Sequence, residues 1–301
     1  SPDTTDYNLD TEVVAAPTCP DPTGLQASSI TTSSAELSWT AGASEALWNV
    51  EYGPTGFTQG GGTTTSSSTN PFALSSLSSG TTYDVYIQAD CTGGDTSGCV
   101  GPGIFTILCE AFDVPYTEYF DSTSTGSSSN PTVPNCWSFI DGGSGYGYVS
   151  STGANSFYLY NVSDMSGDYI LVSPETNALS SGTNRFSFDV DGSMSQDLIV
   201  GTLSDPADSS TFTAIETITL ATNDYESYVV NIPSGTDLHV GFKRGQTGTY
   251  DSYSLDTIVV EAIPSCLAVT ALVTSTLPSS SASLSCPDYV SQSLFTLYVL
   301  A

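Results

Sequence analysis

One stretch of the chain is unusually rich in tyrosine: residues 145–161 read GYGYVSSTGANSFYLYN. Tyr146 and Tyr148 stand two positions apart in it, and tyrosine rings offer flat contact area at a low cost in side-chain entropy. The pair predicts a platform on which a sugar ring can stack. Because the chain holds 17 tyrosines, the alternative of ordinary surface tyrosines stays open.

Residues that could support catalysis do not form the patterns that catalysis needs. His239 is the single histidine, it lies in an alternating, strand-like segment, and no GxSxG motif accompanies it. Residues 189–200 (DVDGSMSQDLIV) begin like a calcium-binding EF-hand loop, but Met194 and Val200 stand where that loop needs glycine and a bidentate acid. Carboxylate pairs are expected by chance in so acidic a chain, so they do not argue for a glycosidase. We therefore expect a protein that is not an enzyme.

The charge balance excludes two classes of partner. The chain has 32 acidic and 3 basic residues, a formal net charge of −29. Nucleic acids and anionic membrane surfaces require clustered lysine and arginine, so neither is expected as a partner. No apolar run approaches the roughly 20 residues of a membrane span, and we expect no membrane insertion. The many carboxylates must be solvated, hydrogen-bonded or neutralised by bound cations.

Seven widely spaced cysteines without a CxxC pair indicate disulfides more than a zinc site. Cys91 and Cys99 flank a glycine-rich turn, so we expect them to close a hairpin. A bond between Cys109 and Cys136 would fix the start of the following segment. The odd count leaves one thiol without an internal partner, and Cys19 is the candidate. Disulfides favour an extracellular protein, either secreted or attached to the cell surface.

The elements that position these residues are predicted to be strands throughout. Residues 19–108 alternate apolar and polar side chains in about seven short segments, near 24–31, 34–40, 47–52, 56–65, 70–75, 82–90 and 102–108. Residues 109–265 continue the alternation through about ten more strands, which suggests a double-sheet jelly roll. No segment shows a helical stripe, and the predicted fold class is all-β.

The first segment resembles a fibronectin type III domain. Its core tryptophan and its tyrosine at the corner before the sixth strand match Trp39 and Tyr83, the latter in LSSGTTY. We expect the Tyr83 ring to be buried and its hydroxyl to bond backbone just upstream. The resemblance implies a spacer or binding module over residues 19–108.

The second segment resembles the MAM-like, cleaved-adhesin jelly rolls found in secreted modular surface proteins of Bacteroidetes. The motifs that carry the resemblance are YTEYFDS (116–122), PNCWSFID (134–141), DYILVSPE (168–175) and YSLDTIVVE (253–261). The order of the modules along residues 19–265 resembles the arrangement in those proteins. It implies an adhesin-like polypeptide or the non-catalytic part of a large secreted hydrolase.

This second resemblance also implies a structural calcium ion that ties the first strand of the jelly roll to its last. Carried over by motif, its ligands are Glu118 and Asp256, with Asp121 nearby. A cation at this position would neutralise adjacent carboxylates while holding the sheet closed. The alternative is that these are ordinary solvated carboxylates.

The chain ends in a partial repeat of its first module. Residues 266–301 align without a gap to residues 19–54, with eleven identities in 36 positions. We expect an incomplete second fibronectin type III-like domain. A disulfide between Cys266 and Cys286 could link its first two strands. Residues 1–18 are acidic and are expected to form an arm or linker.

An incomplete sandwich leaves an apolar face and unpaired strand edges to be covered. Either the natural chain continues with further modules, or another copy supplies the missing strands and the copies assemble head to tail into a filament. The functional hypothesis is a non-enzymatic structural or adhesive protein with glycans or cell surfaces as further partners. The alternative is an accessory carbohydrate-binding region of a large secreted hydrolase.

Overall fold

A computed structural model describes residues 19–264 except 92, 152–153, 246–247 and 249. These residues form nineteen strands and two short 3₁₀ turns, with no α-helix among them, so the all-β prediction is confirmed. Within the same ranges, no helix has the length and apolar character required to cross a membrane. The predicted arm (1–18), the incomplete second module (266–301), its Cys266–Cys286 disulfide and the filament contact fall outside the described residues.

The strands are β1 (Thr23–Ser28), β2 (Ser34–Thr40), β3 (Trp48–Pro54), β4 (Thr63–Ser67), β5 (Phe72–Ser75), β6 (Thr82–Cys91), β7 (Asp95–Thr96), β8 (Val100–Thr106), β9 (Tyr116–Glu118), β10 (Ser138–Asp141), β11 (Tyr146–Ser150), β12 (Ser156–Tyr160), β13 (Tyr169–Val172), β14 (Asn184–Gly192), β15 (Asp197–Leu203), β16 (Thr213–Thr219), β17 (Glu226–Asn231), β18 (His239–Arg244) and β19 (Ser252–Ala262). The 3₁₀ turns are Asn177–Leu179 and Ser209–Thr211.

The first eight strands form a sandwich of two antiparallel sheets. One sheet has the order β1-β2-β5, and the other has β4-β3-β6-β7 with β8 also paired to β6. Alternating residues of these strands face each other in one apolar core. Trp39 and Trp48 meet in it edge to face, with ring centroids 5.3 Å apart.

Tyr83 has the packing role that the sequence predicts. Its side chain is buried, and its ring stacks on Phe105 with centroids 5.9 Å apart. The backbone N–H of Ser78 donates to the Tyr83 hydroxyl oxygen at 3.0 Å. The expected bond to upstream backbone is therefore present, and it fixes the turn before β6.

The disulfides confirm one predicted pair and correct another. Cys109 is bonded to Cys136, as expected. Cys91 is bonded to Cys19, and Cys99 is free and exposed, so the predicted Cys91–Cys99 bridge and unpaired Cys19 are wrong. The reason is strand register: the β6–β7 hairpin places Asp95 opposite Cys91, so Cys99 lies beyond the turn.

The remaining strands form a second sandwich. One sheet has the order β10-β13-β18-β15-β16, and the other has β11-β12-β19-β14-β17 with β9 also paired to β19. Its core is rich in aromatic side chains, including Phe186, Phe188 and Phe242. Phe188 and Phe242 pack edge to face at 5.0 Å between centroids. This core holds the faces of both sheets in place.

The two sandwiches touch at a turn before β6. The amide of Asn135 donates to the Ser79 carbonyl at 2.9 Å, and the Glu110 N–H donates to the Ser79 hydroxyl at 2.7 Å. Gly80 has a φ of +65°, and a Cβ built on it would collide with the Cys136 sulfur. Glycine is therefore required here both for backbone conformation and for close approach.

A candidate ligand-binding face

The structure brings the two predicted sugar-stacking residues together on β11. The ring centroids of Tyr146 and Tyr148 lie 5.8 Å apart, with ring planes 22° from parallel. Both side chains are half-buried, while the intervening Gly147 faces the core. A Cβ at Gly147 would meet the rings of Phe139 and Phe157 at 2.8 Å, so the tyrosines must occupy the outer surface.

Three further tyrosines that the sequence analysis missed complete this surface. Tyr158 and Tyr160 lie on β12, and Tyr250 lies in the loop before β19. The ring centroids are 5.3 Å apart for Tyr146–Tyr160, 5.7 Å for Tyr148–Tyr158, 6.1 Å for Tyr158–Tyr160, 6.4 Å for Tyr146–Tyr158 and 6.5 Å for Tyr160–Tyr250. We call this set of five residues the tyrosine face.

The register of the β11–β12 hairpin creates the tyrosine face. Tyr146 lies opposite Tyr160, and Tyr148 lies opposite Tyr158. The signal for Tyr158 and Tyr160 was present in the sequence as a second pair two residues apart. Only the pairing of the two strands shows that both pairs share one side of the sheet.

Buried polar side chains hold the loop that carries Tyr250. The Arg244 guanidinium is almost fully buried and lies 3.2 Å from the Asp251 carboxylate. The side-chain oxygen of Asn161 accepts from the Asp251 N–H at 2.8 Å. Tyr250 itself is 61% exposed, so the loop presents its ring to solvent beside Tyr160.

Backbone hydrogen bonds join this loop to the one that follows β12. The Tyr250 N–H donates to the Val162 carbonyl at 2.7 Å. A second bond acts in the opposite direction, because the Asn161 N–H donates to the Asp251 carbonyl at 3.2 Å. The two loops are therefore tied together next to the tyrosine face.

Hydroxyl and carboxylate groups continue the surface beyond the tyrosines. Tyr158 lies opposite Ser254 of β19, and Ser254 lies opposite Asp191 of β14. In the next row of the same sheet, Asp256 lies opposite Asp189. Aromatic rings, hydroxyls and carboxylates thus share one outer face.

The surroundings of Tyr146 and Tyr158 raise the pKa of both phenols. Burial raises the pKa of Tyr146 above its ordinary value, with the neighbouring Tyr148 and Tyr160 adding to the effect. Burial also raises the pKa of Tyr158, against a hydrogen bond to the Ser252 side chain that lowers it. These phenols can therefore donate hydrogen bonds to a ligand at neutral pH.

The carboxylates predicted to bind calcium are neighbours, but their oxygens already have partners. Burial raises the pKa of Glu118, and Asp121 adds to the effect, while the Phe120 N–H donates to Glu118 Oε1 at 2.6 Å. Burial likewise raises the pKa of Asp256, with Asp121 again contributing. Across the described residues, no group of three or more His, Cys, Asp or Glu side chains could hold a metal ion. Glu118, Asp121 and Asp256 therefore do not form such a group, and calcium binding remains a prediction.

The single histidine has a structural role in the second sandwich. His239 is buried on β18, and its Nδ1 lies 2.9 Å from the Ser173 carbonyl oxygen. That contact fixes the ring between β18 and the end of β13. It is not part of the tyrosine face.

A cleft of about 700 Å³ opens elsewhere on the second sandwich. Its lining includes Leu179, Ile215, Ile232 and Asp237. The Asp237 carboxylate already accepts a hydrogen bond from Thr202 at 2.7 Å. None of the residues predicted to bind a ligand or a metal lines this cleft.

Residues 20–98 match the family model of the fibronectin type III domain. This match confirms the resemblance for most of the first sandwich. It covers too little of the chain to assign the whole protein to that family. No curated protein matches the chain.

Solved structures similar to this chain include cleaved adhesin domains of Lys-gingipain from Porphyromonas gingivalis. The K1 domain is 18% identical with a TM-score of 0.39, and the match covers 50% of this chain and 99% of that one. The K3 domain is 19% identical with a TM-score of 0.38, covering 49% and 98%. A family 29 carbohydrate-binding module from Piromyces equi is 10% identical with a TM-score of 0.36, covering 50% and 93%.

At these identities and TM-scores, the likeness carries no conclusion about ligand or activity. The similarity to cleaved adhesin domains that the sequence indicated is found. The MAM-like assignment and the second fibronectin type III module remain predictions.

Proposed function

We propose that this chain is a non-enzymatic, extracellular adhesive protein whose second sandwich binds glycans on the tyrosine face. The observation that carries the proposal is the clustering of five tyrosine rings on one outer surface, with neighbouring centroids 5.3 to 6.5 Å apart. Four of these rings are half-buried and the fifth is exposed. They belong to the surface of the sheet and not to its core.

Sugars suit this surface because they have apolar C–H faces and hydroxyl edges. The rings of Tyr148 and Tyr158 offer apolar area for the C–H groups. The phenol hydroxyls and the Ser254 side chain can exchange hydrogen bonds with sugar hydroxyls. One face therefore supplies both kinds of contact that a glycan requires.

The first sandwich supports an extracellular spacer or binding role. Its Cys19–Cys91 disulfide and the Cys109–Cys136 disulfide fit an oxidising compartment. The same tyrosine face would serve an accessory region of a large secreted hydrolase, which is the alternative that the sequence suggests. Glycan binding is common to both.

Binding to a panel of uncharged and charged oligosaccharides tests the proposal, followed by titration calorimetry with each positive ligand. We expect Tyr158→Ala to weaken binding by about tenfold, since loss of one stacked aromatic contact costs about 1.4 kcal/mol. Tyr86→Ala is the matched control, because Tyr86 is a half-buried tyrosine on β6 of the first sandwich. Absence of any glycan ligand, or equal affinity of both variants, would refute the proposal.

A further inference from the structure

Carboxylates border the tyrosine face on the outer surface of the same sheet. Asp191 lies two strands from Tyr158, in the same cross-strand row, at about 10 Å between backbones from the usual strand spacing. Asp189 and Asp256 form the neighbouring row. All three side chains are half-buried. We call these three residues the acidic border.

No basic side chain of the chain is left to neutralise the acidic border. The protein has three Lys and Arg residues in all. Each forms an ion pair with another acid: Arg185 with Glu261, Lys243 with Asp168 and Arg244 with Asp251. The single histidine is buried against the Ser173 carbonyl. Positive charge at the acidic border must therefore come from outside the chain, either from the Ca²⁺ ion predicted at Asp256 or from a bound partner.

We propose that the ligand of the tyrosine face is a glycan with free ammonium groups, a polymer of amino sugars. This inference rests on the proposed glycan-binding function and names its ligand class. The sugar rings lie on the tyrosines, and the ammonium groups reach the acidic border. Aromatic faces also attract cations directly, so both halves of the surface favour the same ligand.

Other ligand classes fit this surface less well. An acidic glycan would bring its own carboxylates or sulfates against the acidic border and a chain of net charge −29, which is repulsive. An uncharged glycan would leave the carboxylates without a counter-charge. A basic peptide would satisfy the carboxylates but would not need the sugar-sized stacking surface. Burial raises the pKa of Asp191, with Asp224 contributing, against a backbone hydrogen bond from Gly192 that lowers it.

The test compares oligosaccharides of equal length by titration calorimetry at mildly acidic pH and low salt. The probes are oligomers of glucosamine, of N-acetylglucosamine and of galacturonate, with oligolysine as a cation without sugar rings. We expect the glucosamine oligomer to bind about tenfold more tightly than its N-acetylated form, and the galacturonate oligomer not to bind. The advantage of glucosamine should shrink as salt is added.

Two variants with the same change in net charge test whether the preference for glucosamine depends on the acidic border. Asp191→Asn should reduce the preference for glucosamine about three- to fivefold, the scale of one partly exposed charge pair. Glu216→Gln, on the exposed edge strand β16 of the other sheet, should leave it unchanged. Tyr158→Ala should weaken both glucosamine and N-acetylglucosamine oligomers, since each stacks on the rings.

The outcomes separate this inference from the proposed function. Equal affinity for the glucosamine and N-acetylglucosamine oligomers, with both dependent on Tyr158, would overturn the amino-sugar inference and leave glycan binding intact. Oligolysine binding as tightly as glucosamine would overturn it in favour of simple charge attraction. Binding of none of the sugars would overturn the proposed function as well.

Discussion

Tyr158 lies directly opposite Tyr148 in the β11–β12 hairpin, and their ring centroids are 5.7 Å apart. On its other side Tyr158 lies opposite Ser254, and its hydroxyl bonds the Ser252 side chain. Tyr158 is thus the point at which the aromatic half of the surface meets the polar half. A ligand that uses both halves must pass over it.

The first prediction separates the ring of Tyr158 from its hydroxyl. Tyr158→Phe keeps the stacking surface and loses the bond to Ser252, so glycan affinity should fall by only about two- to threefold, the scale of one hydrogen bond. Tyr158→Ala should cost about tenfold. Calorimetric titration of both variants measures the difference. If Phe and Ala were equally damaging, the hydroxyl and not the ring would carry the binding.

The second prediction concerns the buried ion pair behind Tyr250. Asp251→Ala leaves the Arg244 guanidinium buried without its carboxylate, and we expect a loss of about 3 kcal/mol in the free energy of unfolding. Arg185→Gln, at a partly exposed ion pair, should cost at most about 1 kcal/mol. Urea unfolding monitored by tryptophan and tyrosine fluorescence gives both values. Similar losses for the two variants would mean that burial does not set the strength of these pairs.

The third prediction follows from the raised pKa of Glu118. A carboxyl whose folded pKa is raised binds protons more readily in the folded state, so its contribution favours folding at low pH and is lost as pH rises through the folded pKa. At neutral pH without metal, Glu118→Gln should therefore raise the melting temperature. If calcium binds here, added Ca²⁺ should stabilise the wild type and have less effect on Glu118→Gln.

Thermal melts with EDTA and with Ca²⁺ check this third prediction. Asp256→Asn should behave like Glu118→Gln, because burial and Asp121 raise its pKa as well. Glu216→Gln serves as the charge-matched control on the other sheet. Equal responses of wild type and both variants to Ca²⁺ would remove the predicted calcium site.

The fourth prediction tests the contact between the two sandwiches. Gly80→Ala combines an unfavourable backbone conformation with a collision against the Cys136 sulfur, and we expect a loss of about 2 to 4 kcal/mol. Gly60→Ala, at a φ of +91° with open space around it, carries the backbone penalty alone and should cost about 1 to 2 kcal/mol. Chemical unfolding of both variants measures the contribution of the close approach. Equal losses would show that the residues around Cys136 can shift to accept the added methyl group without lowering the free energy of unfolding.

Strand positions in the first sandwich were predictable where alternation was uninterrupted. Residues 34–40 were expected as a strand and form β2, because inward residues such as Leu37 and Trp39 recur with period two. The strand expected at 56–65 begins only at Thr63. The Phe57 ring lies against Gly53 and Gly62, so the chain before β4 folds back as a turn. Local alternation contains no information about such a ring contact.

Only part of the candidate site could be predicted from the sequence. Tyr146 and Tyr148 were identified from their spacing, which places both on one side of a strand. Their partners on β12 required the hairpin register, and Tyr250 required the loop that Arg244 and Asp251 hold. Spacing along the chain predicts neither the hairpin register nor the position of this loop, because both depend on contacts between distant residues.

The amino-acid sequence by itself determined the all-β class, the buried tryptophan and Tyr83 positions, and the strongly negative charge, since each follows from side-chain type and period-two alternation. Only the tertiary structure decided that Cys91 bonds Cys19 and that five tyrosines share one surface beside three carboxylates. Strand register and loop closure set those neighbours, and both arise from packing across the whole sandwich.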